Sequence, residues 1–195
     1  MKYFVIGLGN KGGEYKDTRH NSGAQIVEYL QLALDFPDWR ENKKVKAKES
    51  NGKIGKHSVT LILPEQFMNN NGKILPAFIK SKNDASRLLV IYDELDLPIG
   101  KMKLSFARSS GGHKGLESVI RSIRTKDFMR LRVGISPESK GVAKKPKGEE
   151  AVVKFILGKF KEDELEILKK EKLKIKKVVE SIVENGFERA MGEFN

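Results

Sequence analysis

Residues 5–23, VIGLGNKGGEYKDTRHNSG, join a run of apolar residues to a helical pattern through a glycine-rich polar loop. The run Tyr3–Leu8 is short and rich in β-branched residues, which predicts a fully buried first strand. Gly7, Gly9 and Gly12 then match the G-x-G-x-x-G spacing of dinucleotide-binding loops. In those loops the helix begins within the glycine motif, so that its N-terminus faces the pyrophosphate. Here the helical period begins only near residue 22, which argues against a dinucleotide site.

The net charge of the chain is +12, from 38 Lys and Arg residues against 26 Asp and Glu residues among 195. A chain of that length forms one domain with a sizeable core. The excess of cations favours a polyanionic partner, and nucleic acid is the first candidate because Lys and Arg make most phosphate contacts. A uniformly lysine-rich proteome would give the same excess, so both explanations stay open.

The chain contains no cysteine, which excludes disulfides, thiolate metal sites and a cysteine nucleophile. Its apolar runs fall short of the roughly 20 residues that a membrane span needs. The N-terminal run is broken by glycines and followed by charges, unlike a signal peptide. We therefore expect a cytoplasmic protein without a membrane segment.

Strand-like and helix-like segments alternate along the chain. This alternation predicts a single α/β domain over residues 1–195, with a twisted, mixed and mostly parallel sheet flanked by helices. Helices are expected over about 22–35 and about 66–81. The dipeptide Asn51-Gly52 is a turn signal that predicts a hairpin between two strands. A further buried strand, RLLVIYD, is expected to end at Asp93.

Two segments in the last third of the chain differ in composition from the rest. Residues 137–150, PESKGVAKKPKGEE, are polar, lysine-rich and interrupted by Pro and Gly, which predicts a mobile basic surface loop. Residues 161–185 carry apolar residues at helical spacing and predict a long C-terminal helix. Its lysine-rich outer side is interpreted as a solvated face, and contact with RNA is the alternative.

Three polar residues are expected near one edge of the sheet. Asn10 follows the first strand, Asp93 ends another, and His20 lies just before the first helix. Open α/β sheets collect their ligands at the carboxyl ends of the strands. A histidine base, a carboxylate that orients it and an amide that holds a carbonyl are the minimal set for attack of water on an ester. Each residue could equally be a cap or turn residue, so spacing alone leaves this site open.

Five motifs give the chain a recognisable resemblance. They are GLGNKGGEYKDTRHNSG, FMNNNG, DELDLPIG, GGHKGL and RLRVGI. In this order they resemble the bacterial peptidyl-tRNA hydrolase family over about residues 4–160. The resemblance implies an α/β fold of that type and cleavage of the ester between a peptide and the terminal ribose of tRNA, which recycles tRNA from abandoned translation. It also implies a cytoplasmic monomer that needs no cofactor and no metal, with peptidyl-tRNA as its partner.

The resemblance assigns a role to each residue that matches a family motif. His20 matches the general base that activates water, and Asp93 matches the carboxylate that keeps this imidazole oriented. Asn10 resembles the residue that distinguishes a blocked peptidyl amide from a free α-amino group. The other matches are Asn69 for holding the peptide backbone, Tyr15 and Phe67 for lining the site, His113 for its rim, and Lys103 and Arg132 for the tRNA phosphate.

Three positions depart from the family pattern. Lys11 stands where the family usually has Pro, and Asn71 stands where Ser is usual, which we interpret as an exchange between two capping residues. Lys114 stands where the family usually has the Asn of GGHNGL, credited with holding the peptide or the attacking water. A nearby ammonium would lower the pKa of His20 by repelling the imidazolium. Alternatively, Lys114 points outward and contacts only RNA.

Two other functions compete with the esterase. A non-catalytic RNA-binding relative on the same scaffold would explain the charge and Lys114, but has no chemical need for Asn10, His20, Asn69 and Asp93 together. A metal-dependent nuclease would use Asp93, Glu94 and Asp96, although the chain shows no HExxH motif and no second acidic cluster at a strand end.

Overall fold

A seven-stranded sheet with helices on both faces organises the chain in a computed structural model that describes residues 1–195. The strands are β1 Lys2–Gly7, β2 Arg40–Asn42, β3 Ala47–Ile54, β4 His57–Pro64, β5 Leu88–Pro98, β6 Met102–Phe106 and β7 Met129–Ser136. Their order is β2-β3-β4-β1-β5-β7-β6, and the four central strands β4, β1, β5 and β7 are parallel. The predicted mixed α/β sheet is therefore confirmed, with antiparallel strands at both edges.

Helices cover both faces of this sheet. They are α1 Ser22–Ala33, α2 Lys82–Ser86, α3 Lys114–Ile123, α4 Glu149–Ile156, α5 Glu162–Asn185 and α6 Phe187–Phe194, with 3-10 segments at Gly13–Tyr15, Arg19–Asn21 and Met68–Ala77. Apolar residues of α1, α5 and α6 pack on one face, and those of α3 and the Met68–Ala77 segment pack on the other. None of these helices combines the length and the apolar character needed to cross a bilayer.

Glycines let α1 begin directly against the ends of two parallel strands. A Cβ on Gly7 would lie 2.3 Å from the carbonyl oxygen of Gly23, and a Cβ on Gly23 would lie 2.2 Å from that of Ile91. Side chains at these positions are thus excluded by close backbone approach. The glycines serve this packing, and α1 begins after the 3-10 turn Arg19–Asn21, which agrees with the prediction that the loop is not a dinucleotide site.

The predicted turn at Asn51-Gly52 is wrong. Both residues lie within β3, and the hairpin turns instead at Gly55-Lys56, where Gly55 has a φ of +53°. The hydroxyl of Thr60 donates across the strands to Asn51 Oδ1 at 2.7 Å. Gly52 leaves space for the ring of Phe36, which a Cβ would approach to 2.8 Å. Long-range packing therefore overrides the local turn preference.

The helix expected over 66–81 is a 3-10 segment, Met68–Ala77, instead of an α-helix. Gly72 packs so closely on α3 that a Cβ would lie 2.2 Å from the carbonyl oxygen of Ser118, and its N–H donates to Ser118 Oγ at 3.0 Å. Pro76 lacks an N–H for the helical ladder. These two constraints explain the tighter, irregular backbone.

The last third of the chain contains more regular structure than the composition suggests. Within residues 137–150 a small hairpin forms from β8 Glu138–Ser139 and β9 Val142–Ala143, and the last two residues begin α4. The helix expected over 161–185 corresponds to α5, Glu162–Asn185. The mobility of residues 137–150 stays a prediction.

Candidate active site

One buried carboxylate lies between two imidazoles at the carboxyl edge of the sheet. His20 Nδ1 is 3.0 Å from Asp93 Oδ1 and 2.9 Å from Oδ2, and His113 Nε2 is 3.0 Å from Oδ1. His20 lies on the 3-10 turn before α1, Asp93 lies on β5, and His113 is the N-cap of α3. Strand β5 continues past Asp93 to Pro98, with an irregularity after Glu94. Three separate elements thus meet at this carboxylate.

The hydrogen-bond pattern assigns the tautomer of each imidazole. His113 Nδ1 accepts the backbone N–H groups of Gly115 at 3.2 Å and Leu116 at 3.3 Å, so its Nε2 carries the proton and donates to Asp93. Asp93 also accepts the Nδ1–H of His20. The Nε2 lone pair of a neutral His20 is therefore free to accept a proton.

The same contacts shift the pKa values of the pair. Burial lowers the pKa of His20, but the charge of Asp93 and its hydrogen bond raise it, and the net pKa lies above the ordinary histidine value. Burial raises the pKa of Asp93, yet the two imidazoles hold it well below the usual carboxyl range. Asp93 is consequently ionised at neutral pH.

Asparagine side chains fix the loop after β1 beside this pair. Asn21 Oδ1 accepts the N–H of Asn10 at 2.9 Å, and its Nδ2 donates to the Asn10 carbonyl at 2.9 Å. Asn10 Oδ1 accepts the N–H of Met68 at 2.8 Å, whereas its Nδ2 makes no hydrogen bond within the chain. Asn10 thus keeps an amide donor for an incoming carbonyl group.

The residues expected around the peptide form one rim. The rings of Tyr15 and Phe67 meet edge to face at 6.3 Å, and Phe67 is half exposed. Lys11, a departure from the family pattern, holds its Nζ 5.5 Å from the centre of the Phe67 ring. Asn69 is exposed on the Met68–Ala77 segment. The rim therefore offers apolar rings, an amide and a cation side by side.

A cavity of about 370 Å³ opens from the imidazole pair towards the end of the sheet. Val152 and Ile156 of α4 line one wall. Besides Asp93, the charged residues that line it are Glu94, Asp96, Arg108, Lys114, Arg130, Arg132 and Lys145, so cations outnumber carboxylates. The cavity is thus suited to a polar, anionic ligand.

The predicted phosphate-binding cations take different places. Arg132 lines the cavity, where its Nε donates to Glu94 Oε2 at 3.0 Å. Lys103 is the cross-strand neighbour of Arg132 on β6 and is exposed outside the cavity. The two cations are thus cross-strand neighbours, but only Arg132 reaches the cavity.

Lys114 is an exposed cation at the first residue of α3. Its side chain is 68% exposed, and its Nζ lies 3.8 Å from Glu117 Oε2 one turn along α3. The charge and the hydrogen bond of Asp93 raise the pKa of His20 by more than burial lowers it. Lys114 does not contribute to this shift. Of the two alternatives drawn from the sequence, the exposure of Lys114 favours the outward orientation, and the raised pKa of His20 gives no sign of a nearby ammonium.

The carboxylates required by a nuclease do not converge. Asp93 faces the imidazoles, Glu94 pairs with Arg132, and Asp96 pairs with Lys145. His20, Asp93 and His113 together could reach one cation. For His113 Nε2 to be a ligand, however, its proton would have to move to Nδ1, which would break the cap of α3. The donor set therefore favours hydrogen bonding over metal binding.

Some residues of the site were not found by sequence reasoning. Asn71 is fully buried, and its Oδ1 accepts the N–H of Gly9 at 2.9 Å across 62 residues of sequence. Its Nδ2 donates to the carbonyls of Gln66 and Phe67, so it is more than a capping residue. Asn21 could have been identified from its position beside His20. No spacing pattern in the sequence indicates the role of Asn71.

Comparisons with known proteins concern the chain as a whole. Residues 4–195 match the family model for peptidyl-tRNA hydrolase, so the similarity extends beyond residue 160. The chain is 37% identical over 192 residues to the peptidyl-tRNA hydrolase of Shouchella clausii, covering 98% of both chains. It is 36% identical to that of Clostridium botulinum (strain Hall), covering 99% of this chain and 96% of the relative. The crystal structure of peptidyl-tRNA hydrolase from Acinetobacter baumannii superposes with a TM-score of 0.88 at 31% identity, covering 99% of this chain and 94% of that one.

Proposed function

Since the chain belongs to the peptidyl-tRNA hydrolase family, we propose that His20 is the general base with which it hydrolyses the ester bond between peptide and tRNA. One observation carries this assignment: Asp93 binds the Nδ1–H of His20 and leaves Nε2 free. The carboxylate keeps the imidazole in the tautomer that can accept a proton from water.

The reaction follows from this arrangement. His20 Nε2 takes a proton from water while the water oxygen attacks the ester carbonyl, which gives a tetrahedral oxyanion. The ionised Asp93 stabilises the imidazolium formed in this step. The oxyanion then collapses, the bond to the ribose oxygen breaks, and the imidazolium returns its proton to that oxygen. General-base catalysis of this kind contributes about 10²–10⁴-fold to the rate.

His113 acts on the carboxylate and not on the substrate in this proposal. Its Nε2–H donates to Asp93 while its Nδ1 caps α3, so the carboxylate is held by a second, rigid partner. A carboxylate fixed in this way cannot rotate away from His20 during the proton transfer. Asp93 therefore presents a constant orientation to the base.

The substrate is held by two groups of residues. The free Nδ2 group of Asn10 and the exposed amide of Asn69 bind the peptide carbonyls, beside the rings of Tyr15 and Phe67. Arg132, Lys103 and Lys114 bind phosphates of the tRNA, in keeping with the net charge of +12.

Replacement of His20 tests the base. His20→Ala should abolish release of an N-acetylated amino acid from its tRNA while binding of that tRNA is retained. The matched control is His57→Ala, because His57 lies at the first residue of β4, at the opposite edge of the sheet. Unchanged turnover by His20→Ala would defeat the assignment. The same assay gives no hydrolysis for a non-catalytic RNA-binding relative, and loss of activity with EDTA would restore the nuclease alternative.

We also propose that the protein acts as a cytoplasmic monomer. Peptidyl-tRNA arises from translation, which places the substrate in the cytoplasm. All residues assigned to the site come from one chain, so no partner copy is needed to complete it. Light scattering should therefore give the mass of one chain, 22.0 kDa, and a stable dimer would contradict the monomer.

A further inference from the structure

The two neighbours of His20 in the sequence are anchored to different parts of the molecule. On one side, Asn21 exchanges two hydrogen bonds with the backbone of Asn10. On the other side, the backbone N–H of Arg19 donates to the carbonyl of Gly158 at 3.0 Å. The short turn that carries the base is therefore held from both ends.

The side chain of Arg19 adds several contacts to the backbone hydrogen bond between Arg19 and Gly158. Its guanidinium lies between two rings, 4.6 Å from the centre of Phe155 and 4.9 Å from that of Phe160. It also donates to the carbonyl of Lys159, and its Nη2 lies 2.5 Å from Glu164 Oε2. Arg19 is only 5% exposed, so these contacts are protected from water. Stacking and ion pairing on a planar guanidinium cannot both be reproduced by lysine.

The same carboxylate organises the start of α5. Glu164 Oε2 accepts the backbone N–H of Lys161 at 2.7 Å as well as the guanidinium of Arg19. Helix α4, which ends just before this junction, has no buried residue of its own and contributes Val152 and Ile156 to the cavity wall. Arg19 thus joins the turn of the base to the junction between α4 and α5.

We propose that Arg19 is a positioning residue for the reaction, because its guanidinium locks the turn carrying His20 onto the Phe155–Glu164 segment. This inference rests on the proposed role of His20 as the base. A looser turn moves the imidazole away from Asp93, and misplacement by about 1 Å is enough to reduce an enzymatic rate by about 100-fold. Arg19 touches neither the water nor the ester in this account.

A paired variant separates positioning from simple stability. Arg19→Met alone leaves the Glu164 carboxylate buried without its cation, which destabilises the fold. The double variant Arg19→Met with Glu164→Gln removes both charges, and the glutamine carbonyl can still accept the N–H of Lys161. We expect this double variant to regain a melting temperature near that of the wild type.

The kinetics of the double variant test the proposal. We expect kcat to stay at least about tenfold below the wild type, and the acid limb of the pH profile to move to lower pH, because a weaker contact with Asp93 raises the pKa of His20 less. The single variant Arg19→Lys should also have a reduced kcat, because lysine cannot both stack between the rings and pair with Glu164 as a guanidinium does. The control is Arg87→Met with Asp84→Asn, an ion pair of 3.5 Å just before β5, at the opposite edge of the sheet.

A folded double variant with the kcat and acid limb of the wild type would overturn the proposal. In that case the contacts of Arg19 would serve stability alone. This outcome is distinguishable from failure of the base assignment, because an active His20→Ala variant would refute that assignment whatever Arg19 does.

Discussion

Asp93 Oδ2 lies 2.9 Å from Nδ1 of His20, although 73 residues separate the two in the sequence. The parallel strands β1 and β5 and the close start of α1 bring them together. This contact gives the imidazole its orientation, its tautomer and its raised pKa. The role of His20 as the base therefore depends on this contact.

Replacing Asp93 with asparagine should damage catalysis without removing the base. Asp93→Asn takes away the charge and replaces one of the two acceptor oxygens with an NH2 donor, which no longer enforces the Nδ1–H tautomer, so kcat should fall by on the order of 10²–10⁴-fold. Steady-state kinetics on N-acetylated aminoacyl-tRNA measure the loss. Asp127→Asn is the matched control, because Asp127 is exposed in the loop before β7. A kcat within a few-fold of the wild type would contradict the role of Asp93.

Lys114 should influence RNA binding and not the base. Its ammonium is exposed and near Glu117, so Lys114→Asn should leave the acid limb of the pH profile unchanged. If Lys114 contacts one phosphate, the slope of log kcat/KM against log salt should fall by about 1. Lys56→Asn, in the turn between β3 and β4, is the control. A shift of the acid limb to higher pH would instead place the ammonium close to His20.

Asn71 should be needed to hold the loop after β1. Asn71→Ala leaves the buried N–H of Gly9 without its acceptor, which should lower the free energy of unfolding by about 1–3 kcal/mol. Chemical denaturation measures this change, and kcat/KM should fall with it because the same loop carries Asn10. Asn70→Ala is the control, since that side chain makes no hydrogen bond within the chain. Equal free energies of unfolding of the two variants would show that the hydrogen bond between Gly9 and Asn71 does not stabilise the fold.

Glu171 should make the fold less stable as the pH rises from the weakly acidic range to about 8. Burial raises the pKa of this carboxyl on α5 to about 8, and the charge of Lys174 opposes this shift only in part. The unfolded chain loses this proton near the ordinary value of 4.5, so the contribution of the neutral form to stability falls as the pH rises above that value and is lost by about pH 8. Glu171→Gln, which cannot ionise, should melt at a higher temperature than the wild type above that pH.

The matched control for this effect is Glu166→Gln. Glu166 is exposed on the same helix, and its contact with Lys169 lowers its pKa. Its replacement should give no gain in alkaline solution. A parallel course of Glu171→Gln and the wild type between about pH 5 and pH 9, measured by thermal melts, would refute the role of Glu171.

The local pattern of apolar residues predicted the strands and helices in which the buried positions recur regularly. The apolar runs of β1 and β5 and the periodic stripe of α3 each identify their own segment. Helix α4 escaped prediction because it has no buried residue. The turn was misplaced because Gly52 is required by the ring of Phe36, a contact that no local pattern records.

The site was predictable only where its residues end strands or precede helices. Asn10 and His20 follow that rule, whereas Asp93 was found because the apolar run of β5 ends there, although the strand itself continues to Pro98. The contact of Asn71 with Gly9 and that of Arg19 with Glu164 depend on how distant segments pack. Spacing in the sequence carries no information about such pairs.

Nitrogen NMR of His20 across a pH titration shows directly whether Asp93 holds this imidazole in the tautomer of a general base. We expect Nδ1 to carry the proton in the neutral ring, Nε2 to be the nitrogen that titrates, and the pKa to lie above the ordinary histidine value. A neutral ring protonated at Nε2 would contradict this expectation, because the free nitrogen would then face the carboxylate and not the water.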